Sequence, residues 1–136
     1  MYTVEITASY ADGTAATDEF SYTLTPCVMT PVAITDVSYD IYSGSSTFTV
    51  DAFTLSGGHC PDPTYTAVES GDVTLPTFLT NFDGPTLTFT IESDLNTDQG
   101  PYVIELTGEY VDGTTASITF NLELVPCVIT VVPLDD

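Results

Sequence analysis

The most regular feature of the chain is an alternation of apolar and polar positions. Tyr102, Ile104 and Leu106 alternate with Val103, Glu105 and Thr107; beyond Asp112-Gly113, Ile118, Phe120, Leu122 and Leu124 alternate with Thr119, Asn121 and Glu123. A period of two predicts half-buried β-strands, and Asp-Gly tolerates the positive φ of a tight hairpin turn. The same pattern recurs around Asp12-Gly13. Between the two hairpins, Val37 to Tyr42, Thr47 to Leu55, Tyr65 to Ser70 and Leu87 to Ile91 are rich in Thr, Val, Phe and Tyr. Ser43-Gly44-Ser45, Gly57-Gly58, Pro61-Asp62-Pro63 and Asp83-Gly84-Pro85 bound them. Leu87, Phe89 and Ile91 share one face, while Thr86, Thr88, Thr90 and Glu92 share the other. No amphipathic helix is predicted. About seven short strands in about 100 residues predict an all-β fold, an immunoglobulin-like or cadherin-like antiparallel sandwich.

The two hairpins are copies of one another. Tyr2 to Asp36 aligns without a gap on Tyr102 to Asp136, with about 16 of 35 positions identical. Tyr10/Tyr110, Asp12-Gly13/Asp112-Gly113, Phe20/Phe120 and Pro26-Cys27/Pro126-Cys127 are among them. One unit is therefore about 100 residues long, and the chain holds roughly one and a third. Residues 1–35 are expected to be the C-terminal hairpin of one unit, and 36–136 a complete sandwich. A hairpin alone is marginally stable and leaves open edges. It calls for completion, either by an earlier part of a tandem array or by a neighbouring subunit through strand complementation. Both give a linear head-to-tail assembly whose partners are other copies of the chain or adjacent repeats.

Asp98-Gln99-Gly100-Pro101-Tyr102 has the D-x-G-x-Y form that opens the penultimate strand of many such sandwiches, where the Tyr hydroxyl bonds back to the chain as a tyrosine corner. Ile104 stands where an antibody domain carries Cys. The stretch from Leu75 to Leu124 resembles the dystroglycan-type cadherin-like and immunoglobulin-like tandem repeat family of extracellular surface proteins. The matching positions are Leu75-Pro76, Leu79, Asp98, Gly100, Tyr102, Gly113, Phe120 and Leu122. Phe78 replaces the family's usual Trp, and the family's Gly-Thr-Pro before the Asp is missing. The resemblance covers about half of a unit. It implies a tandem surface module for adhesion or spacing, in some members with calcium.

Composition narrows the partners. The 136 residues include no Lys or Arg, 20 Asp plus Glu and one His, for a formal net charge of −20. Phosphate backbones and anionic membranes both require cations, so neither nucleic acid nor a membrane surface is an expected partner. No apolar run approaches the roughly 18 residues of a membrane span. A hydrophobic fraction of 43% and an aromatic fraction of 11% predict a folded chain. The carboxylates repel one another, which predicts stabilisation by salt or bound cations. Met1 runs straight into strand-like alternation, and the chain reads as a mature segment or an excised piece of something longer.

Three cysteines are an odd number, but the repeat sorts them. Cys27 and Cys127 are equivalent, and Cys60 lies in a Gly-Gly-His-Cys-Pro loop. The expected disulfide joins Cys27 to Cys60, with Cys127 left for the equivalent of Cys60 in a following unit; free buried thiols are the alternative. Disulfides place the protein in an oxidising, extracellular or cell-surface setting. Asp94-Leu95-Asn96-Thr97-Asp98 sets oxygen side chains at alternate positions, like the start of a calcium loop, although the Gly is one place late. Asp36, Asp135 and Asp136 at the unit junctions form a second candidate cation site. No cofactor is required; calcium is the one candidate. His59 is the only plausible general base near neutrality and has no nucleophile motif around it. No catalytic residue is expected, and the chain reads as a non-enzyme. Thr86, Thr88 and Thr90 suit strands by propensity alone and are candidate O-glycosylation sites; no N-x-Ser/Thr sequon occurs. The leading expectation is a structural repeat of an extracellular fibre or filament. The alternative is a calcium-dependent surface adhesin that binds a glycan or protein ligand.

Overall fold

The computed structural model describes residues 1–130. These residues form β-strands and one short 3₁₀ turn, Asn96–Asp98, with no α-helix among the described residues. Two compact units result: Met1–Val28 together with Ser56–Cys60, and Met29–Leu55 together with the chain from Pro61 onward. The first unit takes in a piece of the later loop, Ser56–Cys60, beside the hairpin.

In the first unit β1 (Tyr2–Ser9) and β2 (Ala15–Tyr22) pair antiparallel, with Tyr2 opposite Tyr22, Val4 opposite Phe20 and Ser9 opposite Ala15. Gly13 closes the turn at φ +89°, a region open to Gly and costly for residues with a Cβ.

The second unit is the sandwich. One sheet contains β4 (Val37–Asp40), β7 (Thr64–Glu69), β10 (Gly100–Glu109) and β11 (Thr115–Val125) in the order β4-β11-β10-β7. The other contains β5 (Ser46–Thr49), β8 (Leu79–Asp83) and β9 (Thr88–Ile91) in the order β5-β9-β8. β3 (Val28–Thr30) and β6 (Thr54–Ser56) form a separate short pair. β4 runs parallel to β11, and the other pairs in the two larger sheets are antiparallel. Apart from β4, which pairs with the last strand instead of the second, this is the strand order of an immunoglobulin-like sandwich: last, penultimate and third strands in one sheet, second, fifth and fourth in the other.

The core lies between these two sheets. Phe89, Ile91, Ile104, Leu106, Leu122 and Leu124 are fully buried. Phe89 stacks on Phe48 at 5.0 Å and meets Phe120 edge-on at 5.7 Å, the offset and edge-to-face geometries aromatic rings prefer. Two details depart from the alternation. The expected strand from Thr47 to Leu55 breaks into β5 and β6, because Val50 and Phe53 are both buried although three residues apart. A continuous period-2 strand would turn one of them outward, so the chain bends, and Val50 N–H donates to the Leu87 carbonyl at 3.0 Å. Strand β8 gives no clean alternation, and its register against β9 shifts between Leu79 and Asn81, as at a bulge.

Candidate functional site

The two hairpins share more than sequence. In the second, Tyr102 lies opposite Leu122, Ile104 opposite Phe120 and Glu109 opposite Thr115. Each pairing is the first hairpin's pairing moved by 100 positions. The turns agree as well. Thr14 and Thr114 N–H donate to Asp12 and Asp112 Oδ1, each at 2.9 Å. Tyr10 and Tyr110 N–H donate to the Thr14 and Thr114 carbonyls at 2.8 and 2.9 Å. Gly113 sits at φ +84°. The hydrogen bonds from Thr14 and Thr114 hold the Asp12 and Asp112 carboxyls below the usual carboxylate range.

What differs is the cover. In the second hairpin Ile104, Leu106, Tyr110, Phe120, Leu122 and Leu124 are buried. Their counterparts include Ile6, Tyr10, Phe20, Tyr22 and Leu24, all exposed; Phe20 is 51% exposed where Phe120 is 3%. Tyr2 and Tyr22 stack at 5.7 Å on this open face. These large apolar side chains face solvent, where their counterparts form the core.

The cysteines form the second part of the site. Cys27 and Cys60 are joined by a disulfide with their Cα atoms 5.5 Å apart. Gly57 lets the two segments approach: a Cβ there would lie 2.5 Å from the Pro26 carbonyl oxygen and 3.2 Å from Cys27 Cα, and its φ is +126°. Cys127, the equivalent of Cys27, is free and exposed. Its backbone is held by a side chain: Cys127 N–H donates to Asn96 Oδ1 at 3.2 Å, and Asn96 Nδ2 donates to the Cys127 carbonyl at 3.5 Å.

The acidic loop is therefore tied to the chain beyond β11. Asn96 faces Cys127, and Asp98 Oδ2 accepts from Ser93 Oγ at 2.7 Å. Asp94 is exposed. Asp36 accepts from Asn121 N–H and Nδ2, all at 3.1 Å, which lowers its pKa, the side-chain bond contributing most. Asp135 and Asp136 lie outside the described residues. Among those described, no three His, Cys, Asp or Glu side chains converge as a metal would need. Tyr102 Oη donates to the Asp98 carbonyl at 2.9 Å, just beyond Gly100 at φ +130°. Burial first, then the charges of Asp98 and Glu69, raise the Tyr102 pKa. Phe78 packs edge-on against this ring at 4.6 Å.

Of the three threonines, only Thr86 is exposed, and its hydroxyl donates to Asp83 Oδ2 at 2.6 Å. Thr88 and Thr90 are half-buried, and Thr88 Oγ1 pairs with Thr49 Oγ1 at 3.0 Å. His59 is exposed. An open recess of about 580 Å³ in the sandwich is walled by Phe53, Leu55, Pro63, Tyr65 and Leu87, with Asp62 at its margin. A lone carboxylate there does not make an acid–base pair. No helix among the described residues is long and apolar enough to cross a membrane.

Sequence reasoning missed the Asn96 bracket. The residues it joins are 31 apart, and no local pattern signals such a contact. The chain matches no protein-family model and no curated protein.

Proposed function

We propose that the protein is a non-enzymatic structural repeat of an extracellular fibre, joined head to tail through its hairpins and through disulfides between units. One observation carries this reading. The first hairpin has the register and turn of the second, yet exposes the face that the second buries. A hairpin whose partner sheet is supplied by an adjacent repeat, in the same chain or in another copy, would have this form. The family resemblance of Leu75 to Leu124 supports a tandem surface module. The Cys27–Cys60 disulfide fits an oxidising compartment.

Electron microscopy of native material tests the reading. Strand β11 has 11 residues, so at ~3.3 Å per residue one sandwich spans about 36 Å along its strands. Fibres with an axial repeat on the order of 35–45 Å are expected. Dispersed single particles would overturn the fibre.

A further inference from the structure

Resting on the repeat reading above, we infer that Asn96 is a positioning residue that presets Cys127 for a disulfide with the equivalent of Cys60 in the following unit. Two independent observations meet here. The repeat-mate of Cys127 already forms this bond: Cys27 is joined to Cys60. Cys127 itself lies two residues beyond the end of β11 at Val125, where ladder pairing no longer fixes the backbone.

Asn96 takes over that task. Its amide offers one acceptor and one donor in a single plane, as a peptide group does. Through Oδ1 and Nδ2 it bonds both polar backbone groups of Cys127, as a neighbouring strand would. Two hydrogen bonds to one residue restrict its φ and ψ and so the direction of its Cα–Cβ bond. Disulfides are selective for that direction, since the Cβ atoms must come within about 3.5–4.5 Å. Among the described residues no other side-chain amide bonds this backbone, and neither Asp94 nor Asp98 could donate to the carbonyl.

The bond forms by exchange with a small disulfide such as oxidised glutathione. The Cys127 thiolate attacks one glutathione sulfur and expels glutathione thiolate. The Cys60-equivalent thiolate then attacks Cys127 Sγ in the mixed disulfide and expels the second glutathione thiolate. Two protein thiols are oxidised and one glutathione disulfide is reduced.

The test is a longer chain: residues 1–136 followed directly by a second copy of residues 37–136, so that Asp136 takes the place of Asp36. Here the bond of Cys127 to the added Cys60 has its Asn96, while Cys27–Cys60 has no Asn96 equivalent ahead of it. The second bond is therefore an internal control. After refolding in oxidised and reduced glutathione, peptide mapping with a Glu-specific protease should find Cys127 linked to the added Cys60. In glutathione redox buffers the effective concentration of that thiol pair should exceed that of Cys27–Cys60 roughly tenfold, because the Asn96 bonds already order the Cys127 backbone while its thiol is free. Asn96→Ala should abolish this difference with an unchanged circular dichroism spectrum, and Asn96→Asp, which keeps only the acceptor, should retain part of it. A linked Cys127 whose effective concentration ignores Asn96→Ala would overturn the positioning role and leave the repeat reading standing. A folded two-unit chain in which Cys127 stays unlinked would overturn the staple and count against the repeat reading itself.

Discussion

Phe20 and Phe120 occupy the same place in the same motif, and their substitution separates the hairpin from its cover. Phe120 is 3% exposed and meets Phe48 at 6.1 Å and Phe89 at 5.7 Å, both edge-on. Truncating a buried Phe to Ala costs about 3–5 kcal/mol, and each aromatic pair adds about 0.5–1.5 kcal/mol beyond area. Phe120→Ala should therefore lie near the upper end, at about 4–5 kcal/mol. Phe20 is 51% exposed, and Phe20→Ala should cost about 1 kcal/mol or less, in the range of surface substitutions. The decisive comparison is a chain with residues 36–100 placed ahead of Met1, with the added Cys60 replaced by Ser. If that segment supplies the missing sheet, Phe20→Ala should cost about as much there as Phe120→Ala, roughly a thousandfold in the folding equilibrium. Urea unfolding followed by tyrosine fluorescence and circular dichroism measures this, since the chain has no Trp. A Phe20→Ala cost that stays near zero in the extended chain would refute the reasoning. So would a large cost in the original chain.

Tyr110 Oη is buried without a hydrogen-bond partner among the described residues, so Tyr110→Phe should gain about 1 kcal/mol in urea unfolding; a loss would show an unrecognised partner. Gly57→Ala would set its Cβ against the Pro26 carbonyl and hold an L-residue at φ +126°. Thiol titration of the oxidised protein should then rise from the one free Cys127 toward all three cysteines, and an unchanged count would refute the close-approach argument. Asp112 has its pKa lowered in the folded state by Thr114. A depressed carboxylate stabilises above its unfolded pKa and loses that contribution as pH falls through the folded value. The stability gap between the parent and Asp112→Ala should therefore be full at neutral pH and narrow below the ordinary carboxylate range; a gap independent of pH would contradict this.

The hairpins were legible in the sequence because alternation and Asp-Gly turns are local signals. The Cys27–Cys60 pairing was reachable only through the repeat, which singled out Cys127 as the equivalent of Cys27. The break between β5 and β6 was not legible, since it follows from the parity of Val50 and Phe53 relative to a core that the local pattern does not show. Nor was the difference between Phe20 and Phe120, which depends on what covers each. The run Asp94 to Asp98 read as an ion loop because oxygen side chains alternate there. In the folded chain, Asn96 bonds the Cys127 backbone and Asp98 bonds Ser93, contacts set by tertiary position and not by spacing.

The disulfide also determines how far the chain could stretch. Cys27 and Cys60 are separated by 33 positions along the sequence but only 5.5 Å between Cα atoms. Tension applied at the ends would pass through the sulfur–sulfur bond and bypass the enclosed segment, including β4 and β5, however far the remainder unravelled. At about 3.4 Å per residue, roughly 110 Å of contour length is withheld in this way. In a repeat of about 100 residues that is a third of the extensible length, and a reducing agent would release it as a longer step in each rupture event of a force–extension trace.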